Sequence, residues 1–168
     1  SSPAKLGRGL VFLWQTANAA NRLATGGASE ILQPRGVVWT DRHGALALGG
    51  GSFAADDGSA SRLAEALQAK HQWTLALLVT PASLAGSGPL VAFSDGPRAR
   101  NFVLRQEGDR IVLALRTSGS AKEGTPVTVA RLASTAPAHL VLTFSPGRLD
   151  AYVDGARGPA ATATIALP

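Results

Sequence analysis

Apolar stretches in this chain are short, and most end at a Gly, Pro or Ser. Such punctuation leaves little room for long helices and favours many short strands joined by tight turns. Leu10 to Trp14 reads as a strand, and Thr16 to Gly27 as loop. Glu30 to Gln33 and Val37 to Thr40 read as strands separated by Pro34-Arg35-Gly36. Ala45 to Leu48 follows, then a Gly49-Gly50-Gly51 turn and Ser52 to Ala54. The period changes once. Arg62 to Lys70 places Leu63, Ala66 and Leu67 at helical spacing among good helix formers.

Trp73 to Thr80 returns to period two, with Trp73, Leu75, Leu77 and Val79 on one face. Ala76 and Leu78 make its other face apolar as well. That pattern predicts a central strand lying between two layers. The clearest hairpin runs from Asn101 to Thr117. A four-residue loop, Gln106-Glu107-Gly108-Asp109, would pair Arg105 with Arg110, Val103 with Val112 and Phe102 with Leu113. Phe102, Leu104, Ile111, Leu113 and Leu115 then share the core face. Asn101, Val103, Arg105, Arg110, Val112 and Ala114 share the other, and a slip by one residue would place charge in the core.

Val127 to Leu132, His139 to Phe144 and Arg148 to Val153 are further strands, the last two joined by Ser145-Pro146-Gly147. Asp154-Gly155 is a turn, and Ala160 to Leu167 can close the fold. No repeat and no Pro/Ser-rich linker divides the chain. The pattern predicts an all-β, two-sheet antiparallel sandwich or jelly roll with one short helix near 62–70. Residues 1–8 read as an N-terminal extension and 9–168 as one domain, a size that suits 168 residues.

The residues of the last strands resemble the laminin G-like, concanavalin A-like family. His139-Leu-Val-Leu-Thr-Phe-Ser-Pro-Gly-Arg-Leu-Asp-Ala-Tyr-Val-Asp-Gly155 is similar to that family's W-H-H-V-A-V-T-Y strand, Gly turn and L-x-L-Y-V-D-G. Trp73 to Pro81 resembles its F-T-V-x-A-W-V-x-P strand, and Asn101 to Thr117 its middle hairpin. Gly44 to Phe53 sits where the family has A-L-x-F-D-G-x-D-Y-V. The likeness runs from about Gly9 to Thr162 and implies a jelly roll whose ligands are glycans or other proteins. Two features depart from the pattern. Ala136-Pro137-Ala138-His139 replaces the aromatic start of one strand. Leu48-Gly-Gly-Gly-Ser52 replaces an acidic pair, and in calcium-binding members end-loop carboxylates hold the ion.

Several chemistries are excluded or weakened by residue content. No Cys means no disulfide, thiolate nucleophile or cysteine metal site. No apolar run approaches the roughly 20 residues of a membrane-spanning helix. The net charge of +5 comes mostly from dispersed Arg, without the interleaved aromatics of a nucleic-acid surface. Attraction to an acidic cell surface or polymer fits better. No Met is present, so Ser1 reads as a processing or excision product, as in an exported protein or a domain cut from a longer one.

Retaining glycosidases need two carboxyls about 5–5.5 Å apart. The only E-x-D here, Glu107-Gly108-Asp109, reads as a hairpin turn, and no G-x-S-x-G elbow occurs. We therefore expect no enzyme. Asp56-Asp57-Gly58-Ser59, joined by Asp95, is the set of oxygen ligands a calcium ion would use. Its plainer reading is a solvated turn leading into the helix, with an acid near the N-terminus. No other cofactor is expected.

His43, His71 and His139 lack metal-ligand spacing. Trp14, Trp39 and Trp73 lie in apolar strands and read as core, as does Tyr152. Arg105 and Arg110, facing each other across the hairpin, call for an anion between them: Glu107, Asp109, a ligand or a partner. With Asn101 they are the expected ligand contacts. The overall expectation is a non-catalytic recognition module of a bacterial exported protein that binds a glycan or cell-surface polymer. The alternative is a structural subunit that docks by protein contacts in an extracytoplasmic assembly.

Overall fold

The computed structural model describes residues 33–40, 45–55, 57–94, 100–116 and 124–158. The strands expected at Leu10–Trp14 and Ala160–Leu167, and most of Glu30–Gln33, lie outside them. So do the Thr16–Gly27 loop, Trp14 and His43. The chain divides into two compact units, with the boundary between Ala69 and Lys70. Each is described by itself.

In the first unit, β1 (Gln33–Arg35) pairs antiparallel with β4 (Ser52–Ala54), and β2 (Val38–Thr40) with β3 (Leu46–Leu48). Pro34 and Arg35 are thus strand residues rather than a turn. The two ladders follow one another, and between them Gly36-Val37 faces Gly49-Gly50-Gly51. One strand therefore carries an extra residue, the arrangement of a bulge. Gly51 is required there: a Cβ on it would stand 2.3 Å from the Arg35 carbonyl oxygen.

α1 (Asp57–Lys70) begins earlier than its apolar spacing indicates. Asp57 lies in its first turn and Lys70 in its last, both favourable to the helix dipole. Leu63, Ala66 and Leu67 are half-buried, as the spacing requires. His71 takes a left-handed φ of 49° just past the last turn, where helices commonly stop.

The second unit is a β-sandwich of two four-stranded antiparallel sheets. One has the order β12 (Ala156–Arg157), β11 (Arg148–Val153), β10 (Ala138–Ser145), β5 (Trp73–Val79). The other has the order β6 (Ser87–Ser94), β7 (Arg100–Glu107), β8 (Arg110–Leu115), β9 (Thr125–Arg131). Sequence pattern misses β6, whose Ser, Gly and Pro dilute its alternation, and the two-residue β12.

The core is shared between the sheets. Val79, Leu140, Leu142, Phe144, Leu149 and Ala151 meet Leu104, Ile111, Leu113, Leu115 and Val129. Trp73 stacks on its neighbour Phe144, with ring centroids 5.6 Å apart. Across the sheets it stacks on Phe102 at 6.0 Å. Offset aromatic contacts of this kind add to what apolar burial contributes. Val103, Val112 and Ala114, on the opposite face of β7 and β8, are buried apart from this cluster.

Two expectations are corrected. Among the described residues β5 ends its sheet rather than lying inside it, and its second apolar face is exposed, with Leu78 at 71%. The pattern of Ala76 and Leu78 indicates only that the face is apolar, not that a layer covers it. The hairpin loop is Gly108-Asp109, so Glu107 pairs with Arg110, Arg105 with Val112 and Phe102 with Leu115. The shift from the expected register is two residues, which leaves every side chain on its expected face. Gly108, with φ +64°, supplies the left-handed step that a two-residue turn needs.

Candidate functional site

The three expected ligand contacts all lie on β7 and β8. Arg105, Glu107 and Arg110 share one face, and the Glu107 carboxylate accepts from Arg105 at 2.6 Å and from Arg110 at 3.3 Å. The anion between the two arginines is therefore Glu107. The other turn acid, Asp109, accepts from Arg131 at 2.6 Å. Asn101 lies four residues before Arg105, about 13 Å along the strand, at an irregularity where Phe93 pairs with Phe102 but Ser94 with Arg100. Val103 lies between them, so the set is not brought together. On the core face Gln106 is buried and donates to the carbonyls of Ser83 and Gly108 at 2.7 and 2.8 Å. It ties the hairpin end to the β5–β6 loop and satisfies its own amide nitrogen.

Of the expected metal ligands, Asp57 is a helix residue, while Asp56 and Asp95 lie outside the described residues. Among the described residues no three His, Asp or Glu side chains gather to hold a metal. No helix among them is long and apolar enough to cross a membrane.

Two other places carry side chains arranged toward solvent. The first is on β2 and β3. Trp39 is 54% exposed, with Val37 at 63% beside it on the same strand face. This corrects the expectation that Trp39 packs in a core. The indole leans across the ladder onto Gly49: a Cβ there would meet ring atoms at 2.4 and 3.0 Å. The missing side chain makes room for the outer edge of the ring, and about half of the indole stays open to solvent. Leu48, which pairs with Val38, is exposed on the other face of the ladder.

The second lies on the outer face of β10, β11 and β12. Leu149, Ala151 and Leu142 point into the core, so Arg148, Asp150, Tyr152 and Thr143 point away from it. Asp150 is buried among its neighbours, yet both of its oxygens are engaged. Oδ2 accepts from Nε of Arg148 at 2.5 Å, and Oδ1 accepts from the terminal nitrogen of Arg157. Tyr152 pairs with Arg157 across the strands.

The hydrogen bond from Arg148, then that from Arg157, hold the Asp150 carboxyl below the ordinary carboxylate range; burial opposes them. The same hydrogen bond raises Arg148 above its ordinary value. Two guanidinium groups, each more than half exposed, thus converge on one carboxylate and leave a net positive charge. Single residues along the sequence do not announce this cluster. Its signal is R-x-D-x-Y in one strand with a basic residue just past the next turn.

Comparison with family models, curated proteins and solved structures finds no match for this chain.

Proposed function

We propose that this chain is a non-catalytic recognition module that binds a glycan or cell-surface polymer, with Trp39 as its stacking surface. The observation that carries the reading is the half-exposed indole whose outer edge fills the space that Gly49 leaves free. Tryptophan is usually well buried, and an exposed one on a β-ladder stands out from that tendency. Its broad apolar ring packs its edge against Gly49, which limits the side-chain freedom lost when a sugar ring stacks on it. A concanavalin A-like jelly roll is the finer fold we infer. The passage of the chain from β5 to the β6–β9 sheet and back to β10 supports it. A bacterial exported protein, acting outside the cytoplasm, is the setting that accords with this reading.

The test is a glycan array followed by titration of the best neutral binder against the wild type and Trp39→Ala. Binding that weakens tenfold or more in Trp39→Ala, with an unchanged melting temperature, supports the reading. An array without a binder, or equal affinity of the two proteins, overturns it.

A second reading is favoured by Val37, which adds exposed apolar area beside Trp39. Exposed tryptophan among aliphatic residues also suits the centre of a protein interface. In that case the module is a structural subunit of an extracytoplasmic assembly, and Trp39→Ala abolishes incorporation while glycans are ignored.

A further inference from the structure

We propose that Arg148 and Arg157, held apart and aimed by Asp150, form a receptor for the carboxylate of a uronate-type acidic polysaccharide. The site is built from residues other than Trp39 and goes beyond the reading given above. It lies wholly within the second unit, on the sheet face turned away from the core.

Asp150 takes one donor from each arginine, Nε of Arg148 and a terminal nitrogen of Arg157. Each guanidinium has five N–H donors, so most remain unassigned among the described residues. Both side chains are more than half exposed, whereas the carboxylate between them is nearly enclosed. The cluster therefore shows donors to solvent and conceals its acceptor.

The charge balance is two cations to one anion, which leaves one positive charge without a counterion in the cluster. A shared carboxylate also pre-orients two long side chains whose freedom a ligand would otherwise have to remove. Planar guanidinium groups match carboxylate oxygens in pairs. Tyr152 stands two residues from Asp150 on the same face and opposite Arg157, so a sugar ring has an aromatic neighbour beside the charged site. Thr143 lies across from Asp150, and Thr74 across from Thr143, adding hydroxyls in the same row. An anion without a ring, such as a polyol phosphate, would leave Tyr152 unused. The basic net charge of +5 favours approach of such a polymer.

The experiment is isothermal titration with polygalacturonate and with its fully methyl-esterified form, at 50 and 150 mM salt. The proteins are the wild type, Arg148→Lys, Arg157→Lys, Asp150→Asn and Trp39→Ala. The expected result is binding of the free acid, at least tenfold stronger than of the ester. Each Arg→Lys variant, which keeps the charge and loses the planar fork, should bind at least fivefold more weakly. Asp150→Asn gives the sharpest discrimination. It makes the protein more positive, so diffuse attraction would strengthen. A receptor organised by Asp150 weakens instead, by fivefold or more, in protein whose circular dichroism is unchanged.

Equal binding of acid and ester overturns the proposal, as does tighter binding by Asp150→Asn. Full retention by both lysine variants, which are exposed and fold safely, overturns it too. Stronger binding of a ring-free polyglycerol phosphate than of polygalacturonate also sinks the uronate assignment. Trp39→Ala keeps wild-type affinity for the acid. The neutral-glycan reading can therefore fail while this one stands, or the reverse.

Discussion

Glu107 stands directly opposite Arg110 across the β7–β8 ladder, and its carboxylate also holds Arg105. Two arginines that would repel each other across a sheet are reconciled by the acid at the turn. All three side chains are partly exposed, so water and salt screen the pairing. Glu107→Gln should destabilise the domain by about 0.5–1 kcal/mol, roughly 2–4 °C in melting temperature. The loss should shrink in 1 M NaCl, because screening removes most of what the pairs contribute. A loss that is equal at low and high salt would assign Glu107 a packing role instead.

Asp150 links stability to pH. Its folded carboxyl ionises at lower pH than an unfolded one, because two arginines stabilise the charged form. Between the folded and unfolded values the unfolded chain binds more protons. Stability therefore rises with pH in that window and is fully present above the unfolded value, near 4. Acidification from pH 7 to 5 should leave this contribution intact. Below about pH 4 it should fade as the pH drops toward the folded value. In melting curves from pH 7 to 2, Asp150→Asn should show a shallower acid slope than the wild type. Parallel slopes would show that other carboxylates carry the acid sensitivity.

The two faces of the sandwich predict opposite costs for leucine. Leu104 is fully enclosed in the core shared by the sheets, whereas Leu78 is 71% exposed on β5. Leu104→Ala should cost about 2–5 kcal/mol, from lost transfer energy and the cavity left behind. Leu78→Ala should stay within about 0.5 kcal/mol. Urea unfolding of both variants measures the contrast. A cost above about 2 kcal/mol at Leu78 would mean that another layer covers β5 after all.

The same leucines show what is legible in the sequence. Alternation assigns Phe102, Leu104, Ile111, Leu113 and Leu115 to one face, and the structure keeps them there although the register moves by two residues. Face membership follows from a period of two, but register depends on turn length, and Gln106 and Glu107 can be read as loop or strand. Apolarity does not reveal burial. Leu78 and Trp39 sit in runs as apolar as those of Leu140 and Trp73, yet neighbours from distant segments cover only the latter pair. The Arg148–Asp150–Arg157 cluster is equally hidden, because its third member arrives through the β11–β12 turn. The arginines of the hairpin were the visible ones, and Glu107 satisfies them.

Gly49 offers a test of Trp39 that leaves the tryptophan in place. A Cβ at that position would fall 2.4 Å from one ring atom, closer than real contacts come, and a tight 3.0 Å from another. The obstacle is the far end of a side chain, so the ring rather than the backbone should yield. Gly49 also has no left-handed φ, so alanine is tolerated by the main chain. Gly49→Ala should therefore change melting temperature by no more than about 2–4 °C, the equivalent of roughly 1 kcal/mol or less. It should nevertheless shift the Trp39 fluorescence, isolated by comparison with a Trp39→Phe protein, as the indole moves away from position 49. If an indole packed by its edge against Gly49 is what a sugar stacks on, glycan affinity should fall several-fold in Gly49→Ala with the indole still present. Unchanged affinity alongside a shifted spectrum would mean that ring placement is irrelevant, and Trp39 would lose its role as a stacking surface.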